Sequence, residues 1–179
     1  MGTTGGTALA HGQPVAELVN AKGEPEAADP VFRRARSSDL PDIVRMLADD
    51  PLGARREAYV LPLPDSYRAA FEAIDRDPNN ELVVVDIDGR VAGVLQITFI
   101  PYVTHQGSWR ASIEGVRIDA PYRSGGLGRR LFEWAIERAR SRRCALVQLT
   151  SDKSRPDALR FYASLGFVAS HEGLKLQLT

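Results

Sequence analysis

The stretch that decides the fold runs from Gly115 to Arg140, GVRIDAPYRSGGLGRRLFEWAIERAR. A β-rich run ends near Ile118, a tight turn carries Arg123-Ser124-Gly125-Gly126-Leu127-Gly128, and a helix predicted over about Gly126 to Arg142 begins at once. Glycines let backbone N–H groups come close to an anion. The first N–H groups of a helix have no intrahelical acceptor, and the positive end of its dipole favours negative charge there. Between Arg123 and Arg143 stand seven arginines against Glu133 and Glu137, a local surplus suited to a small polyanion. Three phosphate-binding patterns compete for this turn. The dinucleotide pattern G-x-G-x-x-G fails, because Leu131 stands where the last glycine is needed. The G-K-[S/T] pattern fails at Gly128-Arg129-Arg130. The pattern [Q/R]-x-x-G-x-[G/A] is met by Arg123, Gly126 and Gly128.

Outward from the turn, hydrophobic periodicity and turn residues divide the chain. On the N-terminal side, VFRRAR from Val31 reads as a short strand. Ser38, Asp39 and Pro41 then open a helix that carries Ile43, Val44 and Leu47. The proline-rich segment 50–64 reads as a long loop, and Asp65 to Arg76 as a second helix with Tyr67, Ala70, Phe71 and Ile74 on one face. ELVVVDI and VAGVLQITFI flank Asp88-Gly89, a strong hairpin signal. WRASIEGVRI is a further strand. Beyond the central helix, ALVQLT (145–150) is a strand, Pro156 to Leu165 a helix capped by Gly166, and VAS with LKLQL a closing hairpin. The order β-α-α-β-β-β-α-β-α-β-β predicts an α/β fold with a mixed, mostly antiparallel central sheet of about seven strands and about four helices. Residues 1–30, rich in Gly, Ala, Thr and Pro, read as a flexible tail, and residues 31–179 as one domain.

Composition narrows the function. The 179 residues contain 23 basic and 23 acidic side chains. Setting aside Lys22 and four acids of the tail leaves 22 against 19, a balance of +3 that argues against nucleic acid as a partner. No apolar run approaches the ~18 residues of a membrane span. The N-terminus lacks the basic and apolar regions of a secretory signal. One cysteine, Cys144, excludes an internal disulfide, and His11, His105 and His171 lack metal-ligand spacing, so neither a metal nor a membrane is expected and the setting is read as cytoplasmic.

The Gly115–Arg140 segment resembles the acetyl-CoA-binding motif of the GNAT superfamily of N-acetyltransferases. Phe161-Tyr162-Ala163-Ser164-Leu165-Gly166-Phe167 is similar to that family's FY-x-x-x-GF signature. The resemblance covers about residues 31–179 and implies a sheet splayed between its fourth and fifth strands, with the thioester in the opening. It implies that main-chain groups of Val116, Arg117 and Ile118 pair with the pantetheine arm. It also implies that the turn Arg123, Ser124, Gly125, Gly126, Leu127, Gly128 and Arg129 holds the pyrophosphate. Many members carry an asparagine seven residues before the signature tyrosine. Arg155 stands there in this chain, either to meet a CoA phosphate or to start the helix. The implied activity is transfer of an acetyl group from acetyl-CoA, as co-substrate, directly to a primary amine on a small molecule. A peptide or protein amine and a catalytically inactive CoA-binding sensor are the alternatives, and a homodimer is a family-level expectation.

Such chemistry needs a base for the ammonium proton and an acid for the leaving thiolate. Strict alternation along the fourth strand puts Ser112, Glu114, Val116 and Ile118 on one face, with Ile113, Gly115 and Arg117 on the other. Glu114 is the candidate base, directly or through water, against the plainer reading of an ion pair with Arg110 or Arg117. Tyr162 by position is a core aromatic. The resemblance implies instead that its hydroxyl faces the thioester sulfur and acts as the acid. Lesser candidates on loops are His105 and His171, Arg55, Arg56, Glu57 and Tyr59 of the long loop as acceptor wall, and Asp152 with Lys153 after the fifth strand.

Overall fold

The computed structural model describes residues 28–178. The tail expectation for residues 1–30 therefore falls almost wholly outside the described residues. Five strands form one sheet in the order β1-β2-β3-β4-β5. They are β1 (Val31–Arg34), β2 (Asn80–Ile87), β3 (Arg90–Pro101), β4 (Trp109–Ile118) and β5 (Cys144–Leu149). The helices are α1 (Leu40–Ala48), α2 (Asp65–Arg76), the four-residue turn α3 (Thr104–Gly107), α4 (Leu127–Ser141) and α5 (Pro156–Ser164). The first three pairings are antiparallel, and β4 with β5 is parallel.

Local chemistry accounts for these elements. Asp88 and Gly89 both take positive φ, 51° and 75°, as a two-residue hairpin between right-twisted strands requires. The β2 run Val83-Val84-Val85 is buried throughout because helices cover both faces of the sheet. Val83 and Val85 join Leu127, Leu131, Phe132, Ala135 and Ala139 of α4. Val84 joins Ile43 and Met46 of α1 on the opposite face. Those α4 positions recur at helical spacing, so one stripe of the helix is dry and its arginines stay outside.

The mixed, mostly antiparallel sheet agrees with the sequence reading, but seven strands and four helices do not. Among the described residues five strands are present, and five helices when α3 is counted. The predicted closing hairpin is not formed. Leu174, Leu176 and Leu178 keep a strand's alternation yet are 94%, 85% and 88% exposed. Their segment meets the loop after β5, where Lys153 pairs with Glu172 at 2.9 Å and Gly173 passes Thr150, instead of lying along β5. Alternation makes a strand only where a neighbour supplies the hydrogen-bond ladder.

Candidate active site

The site is set by where β4 loses its partner. β4 pairs with β3 as far as Ile118, but with β5 only as far as Ile113 opposite Leu149. From Glu114 to Ile118 the β5-facing edge of β4 carries no ladder, so its N–H and C=O groups face the opening. The resemblance implies a splay between the fourth and fifth strands, and the ladder between them ends at this point. Beyond it the chain passes through Asp119 and the 3-10 turn Ala120–Tyr122 directly into the glycine-rich segment.

Gly115 alters the geometry of β4. It adopts φ +62° inside the strand, and the register with β3 slips between Val94 and Gln96, so that Gly115 and Val116 together oppose Leu95. A bulge of this kind advances the side-chain alternation by one. Val116 and Ile118 consequently pack with Ala111 and Ile113 against the α4 core. The alternation expected from sequence, which grouped Val116 and Ile118 with Glu114, is corrected by that one extra residue. Glu114 is exposed. Neither ion pair considered for it is formed among the described residues, since Arg117 pairs with Asp50 at 3.0 Å and Arg110 lies over the Tyr102 ring at 5.1 Å.

The glycine-rich turn doubles back on itself before α4. Ser124 and Gly126 take φ +67° and +80°, and Gly126 is the residue before the first turn of α4. Arg123 ties this turn down, donating from Nε to the Ile118 carbonyl at 2.9 Å and from Nη2 to Asp49 at 2.6 Å. Arg129 donates to Ser164 Oγ at 2.9 Å, linking the start of α4 to the end of α5. A surface cleft of about 460 Å³, lined by Arg45, Asp49, Tyr59 and Asp119 among others, opens beside the turn, away from Glu114 and Tyr162.

Tyr162 extends from α5 into the aromatic group of Phe132, Phe161 and Phe167, edge-on to each at centroid distances of 5.4, 5.6 and 6.2 Å. Burial pushes its phenol above the usual value, and the charges of Arg155 and Arg117 pull it back. Tyr162 and Arg117, 45 positions apart in sequence, therefore lie close enough for their charges to influence one another. Arg155 is exposed at the start of α5, its backbone N–H donating to the Asp152 carbonyl at 3.0 Å. His105 and His171 are exposed, the first edge-on to Tyr102 and the second 2.8 Å from Ser170 Oγ. Sequence reasoning missed Asp50, the partner of Arg117, and Ser151, whose buried hydroxyl just past β5 has no hydrogen-bond partner among the described residues. A polar pair separated by 67 positions leaves no local signal.

Comparison with known proteins identifies the family. The model of the acetyltransferase (GNAT) family matches residues 45–167, well over half of the chain. The chain belongs to the GNAT family of acetyltransferases. An aminoalkylphosphonate N-acetyltransferase of Salmonella typhimurium is 30% identical over 106 residues, covering 59% of this chain and 68% of that protein. A glucosamine 6-phosphate N-acetyltransferase of Trypanosoma brucei is 37% identical over 91 residues, covering 50% of this chain and 59% of its own length. Among solved structures, a protein of Bacillus halodurans described as a transcriptional regulator superposes with a TM-score of 0.82 at 56% identity, covering 84% of this chain and all of that one. The N-acetyltransferase class expected from the resemblance is the class of this GNAT family and of both named enzymes.

Proposed function

We propose that this GNAT protein transfers an acetyl group from acetyl-CoA directly to the primary amine of a small molecule. The observation that carries the reading is the unpaired edge of β4 from Glu114 to Ile118 running straight into the turn before α4. The residues fit the co-substrate. Free main-chain groups of Val116, Arg117 and Ile118 suit an amide-bearing arm. The N–H groups of Ser124, Gly125, Gly126, Leu127, Gly128 and Arg129, at the positive end of α4, suit a pyrophosphate.

Acetyl-CoA supplies the activated acyl group and a thiol leaving group. The protein supplies position and proton transfer. Glu114, exposed at the edge of the opening, takes the proton of the attacking amine directly or through water, leaving the nitrogen lone pair free to form the new C–N bond. Tyr162 donates its phenolic proton to sulfur as the C–S bond breaks. The nitrogen of the adduct gives up its second proton through water to the phenolate, and the proton taken by Glu114 passes to solvent, so charge and protons balance. Arg155 and Arg117 stand by to stabilise a transient phenolate.

The small-molecule acceptor is supported by the two enzymes named above, which by name act on an aminoalkylphosphonate and on glucosamine 6-phosphate. The regulator description of the Bacillus halodurans structure favours a second reading, a CoA-binding domain without catalysis. One assay separates them: release of free CoA thiol from acetyl-CoA across a panel of small amines and peptides. Acetyl transfer to a small amine supports the proposal, transfer confined to peptides moves the acceptor class, and CoA binding with no thiol release from any amine supports the sensor.

A further inference from the structure

The connection between β3 and β4 holds polar groups that the fold leaves unsatisfied. Among the described residues, five buried side-chain polar atoms lack a hydrogen-bond partner. Three of them lie between positions 102 and 110: Tyr102 Oη, Ser108 Oγ and Arg110 Nε. Native proteins pair nearly all such atoms, so three in one short segment mark a place where a partner is missing. The three groups are held together. The Tyr102 N–H donates to the Ser108 carbonyl at 3.2 Å, and the Arg110 guanidinium lies 5.1 Å from the centre of the Tyr102 ring. Arg110 is half-buried and forms no ion pair among the described residues. The intervening His105, Gln106 and Gly107 all take positive φ, at 52°, 61° and 71°. That conformation is costly for the two residues that carry a side chain. Strained backbone of this kind gathers where ligands are held.

The cluster shares a face of the sheet with Glu114. Arg110, Ser112 and Glu114 alternate along β4 with Ala111 and Ile113, which pack on the α4 side, so all three side chains project from the opposite face. Four residues of strand separate the Arg110 and Glu114 Cα atoms by about 13 Å. Leu146 of β5, opposite Arg110 and 40% exposed, adds an apolar surface on the same face. One guanidinium and two hydroxyls supply a single positive charge with forked donors, which matches a planar, monovalent carboxylate. A neutral hydroxyl in its place would leave the cation without a counter-charge. We propose that Arg110, Tyr102 and Ser108 form a carboxylate subsite, so that the amine accepted here bears a carboxylate at the far end of a flexible, largely apolar spacer. An α-amino acid is too short to reach from Glu114 to Arg110. The subsite rests on the N-acetyltransferase reading for its role, but not for its existence.

The test compares 6-aminohexanoate, 6-aminohexanamide and 1,6-diaminohexane as acceptors, three amines of one length that end in an anion, a neutral amide and a cation. Hexanoate, hexanamide and CoA are titrated separately by calorimetry. Wild type should prefer the acid over the amide by about tenfold in kcat/KM, the worth of a charge-assisted hydrogen bond, and should use the diamine least. Arg110→Gln should abolish that preference mainly through KM and weaken hexanoate binding by about tenfold, with CoA affinity held within about twofold. Tyr102→Phe and Ser108→Ala should each reduce the preference a few-fold. Because both hydroxyls lack a partner in the free protein, neither variant should lower the melting temperature, whereas a purely structural role predicts a loss in both. Equal use of acid and amide by wild type, or hexanoate binding that is absent or unchanged by Arg110→Gln, would overturn the subsite. A loss of CoA affinity as large as the loss of hexanoate binding would assign Arg110 to the co-substrate and overturn it too. If no amine releases thiol, the transferase reading fails, while the hexanoate and hexanamide titrations still decide the subsite.

Discussion

Arg45 of α1 grips Asp119, the residue between β4 and the glycine-rich turn, through two hydrogen bonds of 2.8 and 3.0 Å. This fork anchors the glycine-rich turn to a helix on the other side of the sheet. Hydrogen bonding from Arg45 holds the Asp119 carboxyl below the usual carboxylate range, against the opposing effect of burial. A folded-state value below the unfolded one means that the stabilisation is complete above the unfolded value and is lost as pH falls through the folded one. Asp119→Asn should therefore destabilise the protein at neutral pH by about 1–2 kcal/mol. The gap from wild type should close as pH drops below about 4. Urea melts at a series of pH values measure it, and a gap that persists at low pH would assign the loss to packing instead.

Gly126 and Gly128 are expected to respond differently to substitution. Gly126 sits at φ +80° in otherwise open space, whereas a Cβ on Gly128 would make ordinary 3.7 Å contacts with Ile118 and Phe161. Gly126→Ala should cost about 1 kcal/mol of stability through backbone strain alone. Gly128→Ala should be close to neutral for folding, while Gly128→Val pushes a branched side chain toward the turn and should weaken CoA binding more than it lowers stability. Parallel melts and CoA titrations of the three variants check this; unchanged affinity in Gly128→Val would place the phosphates elsewhere.

A third prediction concerns the core. Glu81 of β2 has a side chain only 4% exposed and accepts three hydrogen bonds from Arg138 of α4, at 2.6, 2.9 and 3.2 Å. Removing the cation strands a buried carboxylate, so Arg138→Met should cost about 2–4 kcal/mol. The double variant with Glu81→Leu should recover much of that loss. Additive losses in the double-mutant cycle would show that the two residues act separately.

Much of this arrangement was legible because its signals are local. Asp88-Gly89 dictates a hairpin through φ alone, and the apolar stripe of α4 declares its buried face. Arg123 to Gly128 marks a strand-to-helix turn whatever the rest of the fold does. What escaped is non-local. The Gly115 bulge reverses the alternation of β4, and the glycine within the strand was its one visible sign. Leu174, Leu176 and Leu178 carry a strand's pattern, but propensity does not supply a neighbouring edge. The Arg117–Asp50 contact joins β4 to the loop after α1, and nothing near either residue announces the other.

Glu114 is exposed where β4 parts from β5, with no ion-pair partner among the described residues. A carboxylate left free at that point is available to a substrate ammonium. Glu114→Gln should lower turnover at neutral pH by about a hundredfold and flatten the acidic limb of the rate profile. CoA affinity by titration should be nearly unchanged. A variant with the wild-type rate and the same acidic limb would remove Glu114 from proton transfer.

Tyr162 separates a structural role from a chemical one. Its ring makes edge contacts with Phe132, Phe161 and Phe167, and phenylalanine at the same position keeps all three. Tyr162→Phe should consequently melt close to wild type. The hydroxyl is a different matter. Burial raises its pKa, which keeps the phenol protonated, while Arg155 and Arg117 favour the phenolate that forms once the proton is given up. Those two influences suit a group that must hold a proton until sulfur departs and then tolerate its loss. General-acid steps contribute about a hundredfold or more, so acetyl transfer by Tyr162→Phe should fall by that order while CoA affinity changes little. Product release can mask such a loss in steady-state rates, which makes single-turnover measurement the decisive readout. A Phe variant with undiminished single-turnover transfer would return Tyr162 to the aromatic core and leave protonation of the thiolate to water.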